Sequence, residues 1–340
     1  MTKKNIAIIG AGISGLMCAT QLHNTFNVTL FEKSRGISGR TSTRYADIYE
    51  FDHGAPYITA RTEKFKEFMH QLCHHKIAAE WNPKIESLSL NAPSFKRAWF
   101  ETHYVGWSRM NDIAKYLYKN IADMITLHLN TEIQSVANNN NLTTLTDKNQ
   151  VTYDDFDAVI LTAPAPQTLH LLPDHVTYRP KLDDVLLAPA YCLMLGSPDA
   201  LKTQTGIFIC DDPVIDKIIV NSDKPHRPSQ GASLLIQSQA EWALTHIDDD
   251  IPEKQAFLRD YTLKLLNMES LTVDYISTHR WRYAKISQPI NESFLWDTAA
   301  NIGVCADWCQ DTEHKDIQGV EAAFLSAEAL SNHLIFIAKL

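Results

Sequence analysis

The apolar pattern changes period twice within the first 32 residues. Ile6, Ala7, Ile8 and Ile9 form an unbroken apolar run, as in a parallel strand buried on both faces. Leu16, Ala19 and Leu22 then recur at helical spacing, which predicts a helix with an apolar sheet-facing side. A second strand follows and ends at Glu32 and Lys33. Between the first strand and the helix lie Gly10, Ala11, Gly12, Ile13, Ser14 and Gly15. This order of strand, glycine turn, helix and strand is that of a dinucleotide-binding βαβ unit. Gly10 permits the tight turn, Gly12 lets the backbone approach a pyrophosphate, and Gly15 lets the helix pack closely on the sheet. Glu32 falls about 20 residues on, where a carboxylate accepts hydrogen bonds from ribose hydroxyls. The pyrophosphate belongs on the helix amino terminus, where free N–H groups and the helix dipole favour negative charge. Glycine-rich turns arise by chance, so the flanking elements and Glu32 are what make the motif specific. Lys3 and Lys4 ahead of an apolar stretch ending near Cys18 imitate a secretory leader. The glycine spacing and matched second strand favour mature structure instead.

The loop RGISGRTSTR offers Gly39 and Arg40, with Arg35 or Arg44 as further candidates, to the same pyrophosphate; a solvated basic loop is the plain alternative. FDHGAPYIT places Gly54 where backbone could approach a flat ligand. Phe65, Phe68, Met69 and Leu72 mark a core-facing helix, and His74 and His75 end it. Residues 81–99 read as irregular. Met110, Ile113, Leu117 and Ile121 mark another helix, with Ser108 as a candidate cap. Short strands follow, with the asparagine run 138–141 as a hairpin tip. FDAVILTAP is a buried strand ending at Thr162 and stopped by Pro164 and Pro166. Mixed strands and a helix over about 252–268 occupy most of 167–275, and HRPS at 226–229 reads as a loop. The tail returns to the opening pattern: a strand near Ile302–Cys305 delivers Asp307, and Gly319 precedes a helix with Val320, Phe324, Ala327 and Leu330 on one face. Leu334–Leu340 reads as its packed end.

A chain of 340 residues, 45% of them hydrophobic, can bury two cores. The formal net charge of -9 with scattered basic residues argues against nucleic-acid binding and for a small-molecule ligand. No membrane span is expected, and six cysteines without paired spacing suit a reducing, cytoplasmic setting. Cys305 and Cys309 lack a second ligand pair nearby, so no metal site is expected.

Taken together, GAGISG with Glu32, SGR, FDHGAPYITAR, FDAVILTAP, HRWRYA at 279–284, and CADW followed by GVEAAFLSAEAL resemble the flavin-dependent amine oxidase superfamily, most closely its renalase-like branch. Most of 167–275 matches only loosely. The resemblance implies an α/β fold: a discontinuous Rossmann-like FAD-binding domain over 1–78, 101–166 and 276–340, and a mixed-sheet substrate domain over 79–100 and 167–275. It implies non-covalent FAD, since no cysteine attachment sequence of the monoamine oxidase kind is present.

By the same resemblance Gly10, Gly12, Ser14 and Gly15 cradle the pyrophosphate, Glu32 holds the adenosine ribose and Arg40 meets a phosphate. Ile133 addresses the adenine through its backbone, Asp307 fixes ribitol or phosphate, Val320 begins the helix at the pyrimidine edge, and His53, Gly54 and Ala55 line the isoalloxazine. Ser38 replaces a usual glycine, Ala306 the glycine of GDW, and Pro56 the glutamine of GAQ. The implied chemistry is oxidation of isomeric dihydronicotinamide dinucleotides to NAD(P)+, with dioxygen taking the electrons as hydrogen peroxide. Trp281 and Arg282 are the first candidates for a catalytic wall, then Tyr57, Tyr191 and His279. An amine oxidase or desaturase on the same scaffold, and a non-catalytic FAD-binding protein, are the alternatives.

Overall fold

The computed structural model describes residues 3–90, 92–139, 142–201, 203–228, 230–314 and 316–339. Two compact units emerge, one from Met1–Arg40, Ile113–Leu187 and Ile286–Leu340, the other from Thr41–Asp112 and Ala188–Lys285. Residues 41–78, 101–112 and 276–285, grouped above with the nucleotide-binding segments, pack in the second unit, and 167–187, grouped with the substrate domain, pack in the first.

A six-stranded sheet organises the first unit. Asn5–Ile9 lies at its centre, parallel to Asn27–Phe31 on one side and to Ala158–Leu161 on the other. Thr126–His128 and Ile302–Val304 extend it in parallel, and Leu295–Asp297 closes one edge antiparallel. Burial on both faces explains why IAII and AVIL are continuous apolar runs. The chain passes from Asn5–Ile9 to a neighbour on one side and later returns on the other. The strand order therefore reverses at the carboxyl end of Asn5–Ile9, where open α/β sheets form their ligand crevice.

Helix Ile13–Leu22 packs against helix Gly319–Ile337, and the Ser14 hydroxyl donates to the Ala323 carbonyl at 3.3 Å. Val320, Phe324, Ala327 and Leu330 are buried, as their spacing predicts. Among the described residues this 19-residue helix, of mean hydropathy 1.2, is the one with the length and composition to cross a membrane, which the reading of the sequence did not anticipate. Among the described residues of its end, Leu334 is buried and Ile335 half-buried, while Phe336 is 63% exposed; residue 340 lies outside the described residues. Ile133–Asn139, Leu142–Asp147 and Thr152–Phe156 form an antiparallel sheet; of the expected asparagine tip, residues 140 and 141 lie outside the described residues.

In the second unit a seven-stranded sheet runs in the order Tyr275–Gln288, Leu186–Ser197, Ala232–Ser238, Ile215–Val220, Thr205–Cys210, Lys84–Ser89 and Ala92–Arg97. The last two strands lie inside the stretch 81–99 expected to be irregular. They form an antiparallel hairpin whose second strand is exposed throughout, so its residues alternate nothing that a hydrophobic pattern can show. A small sheet sets His103–Gly106 between Ile58–Thr59 and Ala78–Trp81. Helix Glu63–His74 is capped by Thr62 and buries Phe65, Met69 and Leu72. Helix Ile251–Leu265, close to the expected span, is capped by Asp250. Ser108 is no cap: the Ser108 and Arg109 amides donate to Asp112 Oδ2 at 3.0 and 2.9 Å.

The second unit is tied together by one buried carboxylate. Asp52 Oδ2 accepts from Lys224 Nζ and from Arg227 Nη2, each at 2.8 Å, and Oδ1 accepts from the Thr43 hydroxyl at 2.7 Å and the Met110 amide at 3.0 Å. Asn221 Oδ1 accepts from Lys224 Nζ and from the Asp52 amide. Burial raises the Asp52 carboxyl, but the Lys224 and Arg227 charges beside it more than reverse this and hold it well below the usual range. Burial likewise pushes Lys224 down to about 8. Arg227 belongs to the HRPS segment read as a loop, yet its side chain is 1% exposed. Removing one member leaves uncompensated buried charge, so Asp52→Ala should lower stability by about 3–5 kcal/mol. Urea unfolding measures this, and a loss below about 1 kcal/mol would show that the cluster does not join these segments.

Candidate functional site: a dinucleotide cradle and an aromatic histidine cluster

The first unit builds its cradle from backbone geometry. Gly10 has φ +111, and its amide donates to the Phe31 carbonyl at 2.8 Å. A Cβ on Gly15 would stand 1.9 Å from the Gly10 carbonyl oxygen, closer than atoms can approach. Helix Ile13–Leu22 therefore starts directly on the turn, with no side-chain cap at Gly12. Its first amides remain free to meet an anion. The Thr162 hydroxyl lies 3.0 Å from the Ile9 carbonyl and 3.1 Å from that of Gly10, pinning the turn.

Glu32 is 7% exposed, and its two oxygens accept from the Ala11 amide at 2.9 Å and the Ser34 amide at 2.8 Å. Both oxygens keep lone pairs for hydroxyl donors. Lys33 beside it is exposed. The Thr131 amide donates to the Glu32 carbonyl at 2.9 Å, which brings Ile133, two residues on, to the same region. The Ile133 side chain is buried in the core. Ser38, the departure from glycine noted above, takes φ +115, while Gly39 follows at +52. A left-handed serine is strained, which gives the usual glycine its reason. The Ser38 amide donates to the Ala11 carbonyl at 2.9 Å, and an added Cβ on Gly39 would come 3.2 Å from Gly12 Cα. The second loop thus closes on the glycine turn.

Arg40 and Asp307, each expected at a phosphate or ribitol, meet one another: Nη2 lies 2.7 Å from Oδ1, with Asp307 side-chain exposure 6%. They lie 267 positions apart in the chain, so segments near its two ends meet here. Gly319 has φ +63 with open space around it, and Gln318 gives no side-chain cap, so Val320 lies in an uncapped first turn. Ser14 differs from a simple phosphate ligand, because its hydroxyl is spent on Ala323 and only its backbone is left to serve.

In the second unit, three of the expected residues converge. Trp281 Nε1 donates to the His53 carbonyl at 2.9 Å, His279 lies 4.3 Å from Trp281 between ring centres, and His53 lies 5.3 Å from His279. Burial, with His279 and Arg44 adding to it, pushes His53 down to about 4. Burial and then Arg44 also lower His279. Arg44 belongs to this unit, where its charge acts on the histidines. His53 Nδ1 is buried without a hydrogen-bond partner. Gly54 and Ala55 follow His53, and the Gly54 carbonyl accepts from Gln237 Nε2 at 3.2 Å.

The remaining catalytic candidates lie apart. Tyr191 is fully buried among Leu193, Leu195 and Ile236, donating its hydroxyl to the His246 carbonyl at 2.6 Å. Arg282 points to the opposite strand face from Trp281 and pairs at the surface with Asp248 at 2.9 Å. Tyr57 belongs to a separate aromatic group with His103. Asp52, Lys224 and Arg227 escaped the reading of the sequence, because nothing local marks a residue whose partners lie 172 and 175 positions away. Cys305 Sγ lies 3.4 Å from Cys18 Sγ, and among the described residues no group of three or more metal-ligating side chains occurs.

Residues 8–72 match the model of the NAD(P)-binding Rossmann-like domain. The chain is 26% identical to Renalase of Mus musculus over 308 residues, spanning 84% of this chain and 86% of that protein. The chain is thus similar to renalase along most of its length. L-amino-acid oxidase of Neurospora crassa is 34% identical over 130 residues, which cover 35% of the renalase-like chain and 17% of that protein. A crystal structure from Exiguobacterium sp. 255-15, provisionally named a protoporphyrinogen oxidase, shares the fold with TM-score 0.75 at 13% identity, covering 98% of this chain and 99% of that one. Wild-type putrescine oxidase bound to putrescine superposes with TM-score 0.68 at 12% identity over the same shares.

The cradle fits FAD, the cofactor expected from the resemblance. There is no Cβ at Gly12, free helix amides await a pyrophosphate, and Glu32 has acceptor capacity for a ribose. Removing the carboxylate frees the Ala11 and Ser34 amides and forfeits the ribose bonds, so Glu32→Ala should weaken FAD about 10- to 100-fold. Titration of deflavinated protein measures this; equal affinity in the variant and the parent would contradict the assignment.

Proposed function

We propose that this renalase-like chain oxidises isomeric dihydronicotinamide dinucleotides to NAD(P)+, with dioxygen as the final acceptor and hydrogen peroxide as its product. Resemblance to Renalase along 84% of the chain carries the reading, because it extends far beyond the nucleotide motif. Bound there, FAD would supply the two-electron redox chemistry that links the substrate to dioxygen. The protein supplies binding and orientation. Gly10–Gly15, Glu32, Arg40 and Asp307 hold the dinucleotide cofactor, with Ala11, Ile13, Gly39, Thr162, Ile133 and Val320 shaping that pocket.

Trp281 and the His53–His279 pair are assigned to the reacting ring. A dihydropyridine is electron-rich and gives up its electrons without a base. Neutral imidazoles suit that chemistry: they can hydrogen-bond without adding a positive charge that would hold the electrons back. Tyr57 serves substrate binding, while Tyr191 and Arg282, in their observed places, serve structure. The six free cysteines agree with a reducing compartment, and the cytoplasm is proposed as the site of action.

Anaerobic mixing of the holoprotein with isomeric dihydro-NAD, dihydro-NADP and an amine panel tests the reading. Dihydronicotinamide isomers should bleach the flavin absorbance, with a rate constant that varies little from about pH 6 to about pH 9 because His53 stays neutral there. Bleaching by an amine alone would move the assignment to an amine oxidase, and no bleaching by any of them would favour a non-catalytic flavoprotein.

A further inference from the structure

The small sheet of the second unit carries a group of side chains of which Tyr57 alone has been given a role so far. His103 stands opposite Thr59 on one neighbouring strand and opposite Trp81 on the other. Strand alternation puts Tyr57 on the same face. Three rings box the imidazole: Tyr57 edge-on at 4.5 Å, Trp99 at 5.3 Å and 33°, and Trp81 at 6.2 Å. His103 is 1% exposed, yet its Nε2 has no hydrogen-bond partner. An unpaired ring nitrogen in an apolar box costs free energy that packing alone does not explain. Burial, which Lys217 reinforces and Glu101 opposes, pushes the imidazole down to about 4, so it is neutral.

The Lys217 ammonium stands 5.9 Å over the Tyr57 ring and 3.6 Å from Asp216, whose carboxylate also accepts from Lys285 at 2.6 Å. Two ammonium groups share one carboxylate, which leaves positive charge at this edge. Trp81 is anchored through Nε1 to Asp223 Oδ2 at 3.2 Å. Trp99 differs: it lies on the link between Ala92–Arg97 and His103–Gly106 and is 38% exposed.

We propose that Tyr57, Trp81, His103 and Lys217 form a nucleotide subsite covered by Trp99, taking the purine and phosphate of a dinucleotide substrate. It rests on the dihydronicotinamide reading above, since such a substrate brings a second nucleotide with it. The base displaces the Trp99 indole from the imidazole and stacks among the remaining rings, as any base can on an aromatic face. His103 Nε2 then gains a partner on the base edge, and the phosphate meets Lys217.

The test is titration of FAD-loaded protein with ADP, read by tryptophan fluorescence; loading with FAD keeps ADP out of the cofactor cradle. A saturable change is expected. His103→Phe and Lys217→Met should each weaken ADP about tenfold or more, equivalent to about 1.4 kcal/mol. Adenosine should bind more weakly than ADP to the parent and equally well to Lys217→Met. Thermal melting confirms that the variants fold, and should His103→Phe fail to fold, Lys217→Met carries the test. No saturable response in the parent, or unchanged ADP affinity in the folded variants, overturns the subsite. Because ADP binding is read without turnover, its failure is distinguishable from a failure to oxidise dihydronicotinamides.

Discussion

The close approach of Gly15 to the Gly10 carbonyl is the constraint on which the nucleotide-binding unit depends. With 1.9 Å between that oxygen and any Cβ at position 15, only glycine lets helix Ile13–Leu22 begin directly on the end of strand Asn5–Ile9. That start sets the direction of the helix and leaves its first amides uncapped. Neighbouring interactions lock the same turn: Gly10 to Phe31, Ala11 to Glu32, Ser38 to Ala11, and Thr162 onto the turn carbonyls. A backbone cradle of this kind gains anion affinity without any charged side chain at its centre. Arg40 adds the positive charge from the rim, held in place by Asp307.

What could be read from the chain alone follows from how local each feature is. GAGISG, the buried strands and helices such as Glu63–His74 were legible because each is a short-range pattern with one physical meaning. Arg40 and Asp307 became legible through the resemblance, since no spacing relates residues 267 positions apart. The hairpin Lys84–Arg97 was not, because its outer strand is exposed throughout and carries no alternation. Asp52 lay inside a quoted motif and still escaped, its two cations being loop residues that look solvated until the fold buries them. Where Tyr191 and Arg282 lie was not legible for a related reason: a tyrosine in a core and an arginine at a surface ion pair have the same letters as ones that line a site.

The second unit uses burial as an electrostatic device in two opposite ways. Around Asp52, burial is compensated by four donors, two of them cations, so full charge is retained and several segments are clamped together. Around His53 and His103 it is not compensated, so the imidazoles stay neutral and keep an unpaired ring nitrogen. The first arrangement holds shape. The second leaves polar atoms that gain a partner only when something else arrives, which is the behaviour of a binding surface. His53 directly follows Asp52 in the chain, so the clamp also fixes where the neutral ring stands.

The central claim is that the glycine turn, Glu32 and the Arg40–Asp307 pair together hold FAD. A crystal structure of the FAD-loaded protein tests this most directly. The account predicts the pyrophosphate over the amino terminus of helix Ile13–Leu22, within hydrogen-bonding reach of its first amides, with the adenosine ribose on Glu32. A pyrophosphate bound elsewhere, or a ribose that leaves Glu32 without a ligand, would contradict it.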